Sequence, residues 1–543
     1  MTRGSPACMG SIAQPGKKVK PPPAPRKSEK LLQFRRRSAI ITGELCEPFA
    51  ALPHHIPSPS PASEKERERG AAETFMRLKQ LFTRAFGENP EEDSFSIRFS
   101  NKTLFALLLP LVAEQFLSIL MGIMDTVMVS SLGDASVSGV SLVDMIFILF
   151  INIFNALATG GAVIASRCVG AKNPDGAARS ARTILLISLA ASLLMLGVAA
   201  AADTRLLRLL YGQIEDDVMA ASTVYMRTTM ISFPFIALYS ACAALFRSVG
   251  NSKISMISSA AANLFNVAGN AFTIFVLKWG VFGAALSTVV SRFLLMAYFL
   301  VKIADKDLAV RVNYKTLLTE KPDGGTAKSI LSVGLPGSLE SGTFQLGRIL
   351  VLSIISTFGT AQIAANAVAN NIDTFGVMTG FAFNLAIITV AGQCVGAGDW
   401  RAVRYYTGKL LRMSYASFVL FNAVLFAVLP LLLKLYQVSP EAHDLAVTLI
   451  LIHNLSAIVL WTPSFVTPNA MKAAGDARFV MIAAVLSMFL FRVGFSEIFG
   501  RRMGMGAVGV WIAMVLDWIF RTVVFEIRWR KTLKRKIART ASE

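Results

Sequence analysis

One carboxylate, Asp125, interrupts a long apolar run in the stretch GIMDTVMV. A charge in hydrocarbon is costly, so it needs a partner, a water-filled cavity or a function. Desolvation disfavours an ionised carboxylate, and such an acid can therefore bind a proton and release it when its surroundings change. The alternative is that Asp125 lies just before the loop SSLGDAS and only caps its helix. No basic residue lies within a helical turn of it, which favours the functional interpretation.

A second polar set lies in the segment NLFNVAGN. Asn263, Asn266 and Asn270 follow one another at intervals of three and four residues, so a helix places them along one stripe. An amide oxygen can coordinate Na⁺ or orient a carboxylate, but an amide cannot carry a titrating proton. Asparagines also form hydrogen bonds between helices in membrane bundles, and the sequence leaves both interpretations open.

Further polar residues lie inside apolar segments. Glu114 and Glu340 each follow a proline by four residues, which favours a shared structural role such as bonding backbone groups that the proline leaves free. For Glu340, contact with a substrate is an equal alternative. Asn366, Asn370 and Asp373 form a polar stripe on one predicted helix, and we expect this stripe to face a central cleft, where these residues and Gln345 are candidates for substrate contact.

Three other features have structural interpretations. The spacing of Asp517 and Arg521 predicts an ion pair on one helix, and Arg492 and Glu497 form a less favourable pair. The lone His453 is expected to be a packed core residue rather than a proton relay. The chain has no Walker A sequence, no His/Cys metal spacing and no G-x-S-x-G element, so we expect no enzyme and no cofactor. Energy for any transport must then come from a gradient of H⁺ or Na⁺.

The elements that position these residues follow from composition. The 543-residue chain is 54% hydrophobic and only 16% charged, with a mean hydropathy of +0.55, which predicts an integral membrane protein. Apolar runs without period-2 alternation predict membrane helices rather than a barrel. We expect an all-α polytopic fold with twelve spans near 104–130, 138–166, 178–202, 219–246, 254–277, 281–302, 328–357, 362–393, 406–433, 442–471, 479–499 and 505–527.

The net charge of +20 reports topology rather than nucleic-acid binding. Basic residues concentrate in the connections after even-numbered spans and in the C-terminal stretch RWRKTLKRKIAR. The positive-inside rule then predicts a multi-pass protein of the cell membrane with both termini cytoplasmic. The lipid bilayer is its expected partner, and five cysteines without framework spacing predict no disulfide.

The first part of the chain differs from the rest. Pro-, Ser- and charge-rich segments predict a disordered or amphipathic extension over 1–98, in which Met76 opens a basic amphipathic stretch suited to a natural start. The remaining domains are an N-lobe over 99–310, a cytoplasmic linker over 311–327 and a C-lobe over 328–530. A basic cytoplasmic tail over 531–543 completes the prediction.

The two predicted lobes are copies of each other. The sequence CVGA occurs at Cys168 and again at Cys394, and many prolines and glycines recur at the same interval of 226 residues. Six crossings are an even number, so the copies are parallel repeats that enclose a central cleft. We expect four glycines to adopt positive φ at helix ends: Gly170, Gly250, Gly396 and Gly475. Their role is then to form tight turns between helices rather than to bind a ligand.

Several stretches resemble the multidrug and toxic compound extrusion (MATE) transporters, among them PLVAEQFLSILMGIMDTVMVSSLG, ATGGAVIASRCVGAKN, FRSVGNSK, GLPGSLESGTFQLGRILV and GVWIAMVLDWIFR. The resemblance runs from about Phe99 to Arg530 and is closest to the bacterial DinF-like and firmicute-type branch. It implies a V-shaped pair of six-helix lobes that exports lipophilic or cationic compounds in exchange for H⁺ or Na⁺. We expect a monomer.

The resemblance also implies roles for single residues. Asp125 matches a first-helix aspartate that takes a proton or helps to hold a cation, and Asn266 matches a nearby asparagine. Asn270 stands where family members commonly have an aspartate, so this site has one acid fewer. Thr288 looks like the hydroxyl that joins the cluster, and Gln345 lies near the position of an acid on the seventh helix.

Two other classes of function remain open. A flippase for lipid-linked saccharides also needs many helices around a cleft, but that cleft should carry several basic residues for a pyrophosphate. The basic candidates here are Arg227, Arg292, Arg348 and Arg492. A receptor or membrane enzyme is the third class, although duplication into equal halves serves alternating access more directly.

Overall fold

The structure is a computed structural model that describes residues 95–542, apart from 213–214, 320–322 and 437. Twelve of the described helices are long and apolar enough to cross a membrane, and the described residues contain no strand, so the all-α prediction is confirmed. In chain order these helices are α1 Asn101–Ser130, α2 Asp134–Gly170, α3 Pro174–Ala202, α4 Asp216–Ser248, α5 Ser252–Val276, α6 Gly280–Ile303, α7 Gly324–Phe358, α8 Thr360–Gly396, α9 Trp400–Lys434, α10 Pro440–Ala473, α11 Ala477–Arg502 and α12 Gly506–Ser542.

Most of the predicted extension and the predicted start at Met76 lie outside the described residues, which begin at Phe95. The last residues of the extension are ordered against the C-lobe, because Phe95 packs on Tyr405 and Ser96 donates to Asp399. In the predicted linker, a six-residue helix, Tyr314–Thr319, precedes α7. The predicted basic tail is helical, because α12 continues to Ser542. Leu533 is buried in this tail, so its apolar side packs against the rest of the protein.

Side-chain caps fix where several helices begin. Asn173 and Asp399, at equivalent positions of the two copies, each accept a hydrogen bond of 2.8 Å from the third backbone N–H of the helix that follows. Asp323 caps α7 by accepting bonds from the backbone of Gly325 and from Thr326. These hydrogen bonds hold the pKa of the Asp323 carboxyl below its ordinary value.

The predicted positive φ is confirmed for Gly250 (85°) and Gly475 (98°) but is wrong for Gly170 and Gly396. These two glycines are the last residues of α2 and α8. The prediction failed because local sequence cannot distinguish a glycine that turns the chain from one that lets a neighbouring helix approach.

Gly170 and Gly396 are needed where α2 crosses α8. A Cβ atom on Gly170 would overlap the carbonyl oxygen of Gln393, and one on Gly396 would overlap that of Arg167. Arg167 and Gln393 are themselves equivalent residues of the two copies. The two lobes therefore meet through a symmetrical backbone contact, which we call the junction.

Hydrogen bonds join the lobes at the junction. The Arg167 guanidinium donates two bonds, of 2.9 and 2.7 Å, to the carbonyl oxygen of Ala473. The Gln393 side chain donates to the carbonyl of Ser248 at 2.8 Å. Farther along, α2 packs against α7, where Ser338 donates to the carbonyl of Ile153 at 3.1 Å. The six-helix halves are thus two lobes joined along α2, α7 and α8.

Each lobe has its own packed interior. In the N-lobe, the rings of Phe147, Phe150 and Phe154 on α2 contact Phe233 on α4, with centroids 4.8 to 5.9 Å apart. In the C-lobe, the ring of Trp461 on α10 contacts Phe381 of α8 edge-on and Phe418 of α9 in a tilted arrangement. Such close packing, rather than a hydrophobic driving force, holds helices together in lipid.

Candidate functional site

The structure brings the predicted N-lobe residues together. Asn270 on α5 donates a hydrogen bond of 2.7 Å to Asp125 Oδ1 on α1. Asn266 and Asn270 are buried, with 1% of each residue exposed, while Asp125 is half-buried. The carboxylate thus faces the interior of the N-lobe and is held by an amide from another helix.

The cluster extends to α6 through Asn266 and Thr288. In the amide orientation that satisfies both ends, Asn266 donates to Asp125 Oδ1 at 2.9 Å and accepts from Thr288 Oγ1 at 3.2 Å. The Oδ1 atom of Asn270 is buried and has no hydrogen-bond donor among the described residues. Amide N–H groups of two α5 residues thus bind the Asp125 carboxylate and a hydroxyl from α6 joins them, so polar side chains from three helices meet here. Carboxylate, amide and hydroxyl oxygens are the ligand types that a hard cation such as Na⁺ prefers.

A close crossing of α5 and α6 positions this cluster. A Cβ atom on Gly269 would overlap the Ser287 hydroxyl, so a larger residue here would displace that side chain. Ser287 Oγ donates to the carbonyl of Asn266 at 2.9 Å and fixes the register of the two helices. The regular helix α5 then gives way to a π-helical turn, Phe272–Val276, which begins two residues after Asn270.

Sequence reasoning missed a second N-lobe acid, Asp144 on α2. Its carboxylate accepts a bond of 3.3 Å from the hydroxyl of Tyr225, and it interacts electrostatically with Asp125 and Arg292. Arg292 also donates to Ser232 at 2.8 Å. Asp144 is the lone acid within the apolar run SLVDMIFILF, which was the signal available in the sequence.

Glu114 and Glu340 have the shared structural role that their equal positions predict, but the partners are side chains. Glu340 lies 2.9 Å from Lys472 Nζ, and Glu114 lies 3.8 Å from Arg247, which is the residue that matches Lys472 in the other copy. Glu114 also accepts bonds of 2.9 and 3.0 Å from Ser255. The prediction of bonds to backbone groups was wrong, and the Glu340 carboxylate is neutralised within its own lobe.

The three residues of the polar stripe on α8 differ in their exposure. Asn366 and Asp373 are buried inside the C-lobe, whereas Asn370 is exposed. Asn366 accepts a bond of 3.0 Å from the Trp511 indole. Gln345, on α7, is half-buried.

Asp373 and His453 form a pair that the sequence did not predict. Asp373 Oδ2 lies 3.3 Å from His453 Nδ1 on α10, and Asp373 Oδ1 accepts a bond of 2.5 Å from Asn454. The imidazole contacts the rings of Trp511 and Trp518, at centroid distances of 5.7 and 5.1 Å. The two residues are 80 positions apart in the chain, so no local spacing could have indicated the pair.

Asp517 and Arg521 form the predicted ion pair, with Nε and Oδ1 2.9 Å apart. Arg492 does not pair with Glu497: it lies 3.8 Å from Asp517, and Glu497 binds Arg501 instead. Arg492 lies five residues before Glu497 on α11, but its contact with Asp517 on α12 decides its partner.

Both halves of the chain match one known protein family. A family model described as MatE matches the chain twice, over residues 110–272 and 336–498, which together exceed half of the chain. The starts of the two matches differ by the same interval as the repeated CVGA sequences.

Several relatives cover most of the chain. The uncharacterized transporter YisQ of Bacillus subtilis is 26% identical over 453 residues, covering 82% of this chain and 96% of the relative. The probable multidrug resistance protein NorM of Thermotoga maritima is 23% identical and covers 80% of this chain and 92% of the relative. The multidrug export protein MepA of Staphylococcus aureus is 22% identical, with coverages of 71% and 84%.

Solved structures share the fold. One described as the outward-facing conformation of a multidrug resistance MATE family transporter superimposes with a TM-score of 0.75 at 20% identity, covering 80% of this chain and 96% of that chain. A MOP superfamily transporter from Pyrococcus furiosus gives a TM-score of 0.74 at 21% identity, with the same coverages. Because the family model matches both halves in the register of the repeat, the chain belongs to the MatE family and is a multi-pass membrane transporter of the MATE type.

Proposed function

We propose that this transporter exports lipophilic or cationic small molecules across the cell membrane in exchange for H⁺ or Na⁺. The cluster of Asp125, Asn266, Asn270 and Thr288 binds the coupling cation. The observation that carries the proposal is the Asp125 carboxylate held by Asn270 at 2.7 Å inside the N-lobe. The names of the relatives from Thermotoga and Staphylococcus support drugs as substrates.

One cation per cycle supplies enough energy. Moving one charge inward is worth about 2.3 kcal/mol per 100 mV of membrane potential. A tenfold substrate gradient costs about 1.4 kcal/mol. The proposed cycle is a rocking of the two lobes about the junction, with substrate and cation favouring opposite orientations. The distribution of basic residues supports cytoplasmic termini, and the proposed working unit is a monomer.

Two residues at the Asp125 cluster suit different coupling ions. Asp125 can bind a proton, whereas the buried oxygen of Asn270 suits Na⁺, because an amide cannot titrate. The flippase alternative is less well supported. Of its basic candidates, Arg292 binds Ser232 and Arg492 lies beside Asp517, so neither is set aside for a pyrophosphate.

The experiment is efflux of ethidium from proteoliposomes with a pH gradient and a Na⁺ gradient imposed separately. Asp125→Asn should reduce gradient-driven efflux by at least about tenfold, because the variant has lost the group that carries the ion. Asp134→Asn, an exposed acid at the start of α2, is the matched control and should transport normally. Undiminished efflux by correctly inserted Asp125→Asn protein would contradict the proposal.

A further inference from the structure

The C-lobe has more arginine side chains at one place than its acids can balance. Arg521 on α12 and Arg492 on α11 both lie near the Asp517 carboxylate, at 2.9 and 3.8 Å. Arg348 on α7 interacts electrostatically with Arg492. No hydrogen bond or ion pair joins Arg348 to any of the described residues. The guanidinium groups of Arg348, Arg492 and Arg521, which we call the arginine cluster, thus have one carboxylate among them.

The acids on α7, α8 and α11 do not compensate this charge, because each has a partner elsewhere. Glu340 on α7 lies 2.9 Å from Lys472, and Glu497 on α11 lies 2.9 Å from Arg501. Asp373 on α8 lies beside an imidazole. Within the described residues, no carboxylate other than that of Asp517 forms an ion pair with the arginine cluster.

The N-lobe does not supply the missing negative charge either. Asp125 and Asp144 interact electrostatically with each other and with Arg292 of their own lobe, and Glu114 lies beside Arg247. A guanidinium inside an apolar span is costly unless it is paired or lies beside a water-filled cavity. The excess positive charge of the C-lobe therefore calls for a cavity and for an anion that comes from outside the chain.

Helix geometry places Arg348 where α7 borders both the C-lobe interior and α2. Arg348 follows Phe344 by four residues and Gln345 by three, so the three side chains lie on one side of α7. The ring of Phe344 points into the C-lobe, with its centroid 5.6 Å from the Arg492 guanidinium. Gln345 follows Gly342, which packs against α2, by three residues. Arg348 therefore lies between the interior of the C-lobe and the surface that faces the N-lobe.

The contact between α2 and α7 ends near this position. A Cβ atom on Gly342 of α7 would lie 3.9 Å from the Leu149 side chain of α2. Met145, one turn farther along the same face of α2, is 45% exposed, and Arg348 is exposed as well. In the repeat, Arg348 matches a residue three positions before Asp125. The lobes thus part at about the level of the cation site, and Arg348 borders the gap between them.

Arg492 has a donor that the chain leaves free. Its Nε atom is buried and has no acceptor among the described residues. Arg492 lies in a π-helical segment, Met488–Gly494, and such segments inside α-helices often occur at functional sites. Met488 packs against Gly347, the residue beside Arg348, so a close crossing of α7 and α11 brings the two arginines together. An anion that reaches both would satisfy the free donor and the unpaired charge.

We propose that Arg348 and Arg492 bind the anionic group of a lipophilic substrate, such as a carboxylate, a sulfonate or a phosphate. Guanidinium groups bind such anions through charge-assisted hydrogen bonds. One unpaired guanidinium and a second that shares its carboxylate suit a single anionic group rather than a pyrophosphate. The half-buried ring of Phe344 lies beside the site and offers apolar surface to the rest of the ligand. Binding of the anion stands alone, whereas its export rests on the proposed function.

Equilibrium binding of two matched probes tests the site without transport. The probes are a dansyl-labelled fatty acid, which is ionised at about pH 8, and its uncharged methyl ester. Energy transfer from tryptophan to the dansyl group measures their binding to the purified protein in a neutral detergent. The wild-type protein should bind the acid about tenfold more tightly than the ester, because a hydrogen bond to a charged group is strong. Equal affinities for acid and ester would overturn the proposal.

Variants assign the preference to Arg348. Arg348→Gln should weaken binding of the acid about tenfold and leave binding of the ester unchanged. Arg348→Lys retains the charge and should retain part of the preference. Arg502→Gln, which changes an exposed arginine at the end of α11, is the matched control and should keep the full preference. An unchanged preference in Arg348→Gln, or a preference lost together with a fall in melting temperature, would contradict the site.

A lipid headgroup offers the same anionic chemistry as a substrate, so the binding experiment is repeated in nanodiscs of phosphatidylglycerol. The wild-type protein should still prefer the acid, and Arg348→Gln should not, if the site takes a molecule other than the surrounding lipid. A preference that is present in detergent and absent in nanodiscs would assign the arginines to lipid headgroups and contradict a substrate site.

Transport separates this proposal from the proposed function. In proteoliposomes, Arg348→Gln should lower efflux of the labelled acid relative to efflux of ethidium by about tenfold. Asp125→Asn should lower efflux of both compounds but retain the preference for binding the acid, because the cation site lies in the other lobe. A normal ratio of acid to ethidium efflux in Arg348→Gln would overturn export of the anion. Undiminished efflux by Asp125→Asn would contradict the proposed function alone.

Discussion

At the scale of single residues, the repeat preserves a pairing of charges rather than particular side chains. Glu114 meets Arg247 in one lobe, and Glu340 meets Lys472 in the other. The first pair is loose and shares Ser255, whereas the second is a direct contact of 2.9 Å. Each pair links the first and fourth helices of its lobe, so each carboxylate is compensated within one rigid unit.

Breaking the C-lobe pair should therefore destabilise the protein. Lys472→Met leaves the Glu340 carboxylate largely buried without a partner and should cost about 3 kcal/mol. Thermal unfolding in detergent measures the loss. The double variant Glu340→Gln/Lys472→Met is the matched control and should regain most of the stability, since no unpaired charge remains. Equal melting temperatures for the single and double variants would show that the pair contributes nothing.

The sequence predicted part of the candidate site. Helical spacing and family resemblance identified Asp125, Asn266, Asn270 and Thr288, and the structure brings them together. The sequence could not predict the partner of His453, because the contact joins helices that are far apart in the chain. A residue type indicates which chemistry is available, but the packing of helices decides which groups meet.

At the scale of helices, hydrophobic run length predicted all twelve spans, because hydrocarbon thickness sets the length of a crossing. The predicted reason for two glycines was wrong. Gly170 and Gly396 allow α2 and α8 to cross, and the turns after these helices use positive φ at Lys172 and Gly398 instead. A hydrophobic run contains no information about which helix will lie against it.

Gly170→Ala should weaken the junction, because the added methyl group would overlap the backbone of Gln393. Overpacking of this kind costs about 1–3 kcal/mol, and we expect a several-fold loss of efflux. Gly197→Ala in α3 is the matched control. No atom lies within 4 Å of its added Cβ, so helix propensity alone should stabilise it by about 0.5–1 kcal/mol. Melting temperature and efflux shifting alike in both variants would contradict this role of Gly170.

At the scale of the whole molecule, the two lobes share a six-helix fold, but the candidate cation site occurs in the N-lobe alone among the described residues. The residues that match Asp125 and Asn270 in the C-lobe are Val351 and Ser496, so the cation cluster has no copy there. The C-lobe instead contains the pair of Asp373 and His453. The two lobes produced by the duplication therefore share one six-helix fold but contain different buried polar residues.

A disulfide between the lobes tests whether they move against each other. A Cβ atom on Gly337 of α7 would lie 3.6 Å from the Cβ of Ala156 on α2, within the range for a disulfide. In a cysteine-free background, oxidised Ala156→Cys/Gly337→Cys should stop efflux, and reduction should restore it. Gly337→Cys alone, which has no partner thiol on α2, is the matched control and should remain active after the same oxidation. Normal efflux with the interlobe bond closed would exclude rocking at this contact.

The symmetry of the junction has a consequence for how such a chain can be built. Gly170 faces Gln393 and Gly396 faces Arg167, so each half presents the same patch to the other. This is the geometry of a two-fold dimer, in which one surface is complementary to itself. A single six-helix half already carries both sides of the contact, and fusing two halves into one chain freed each of them to acquire its own charges.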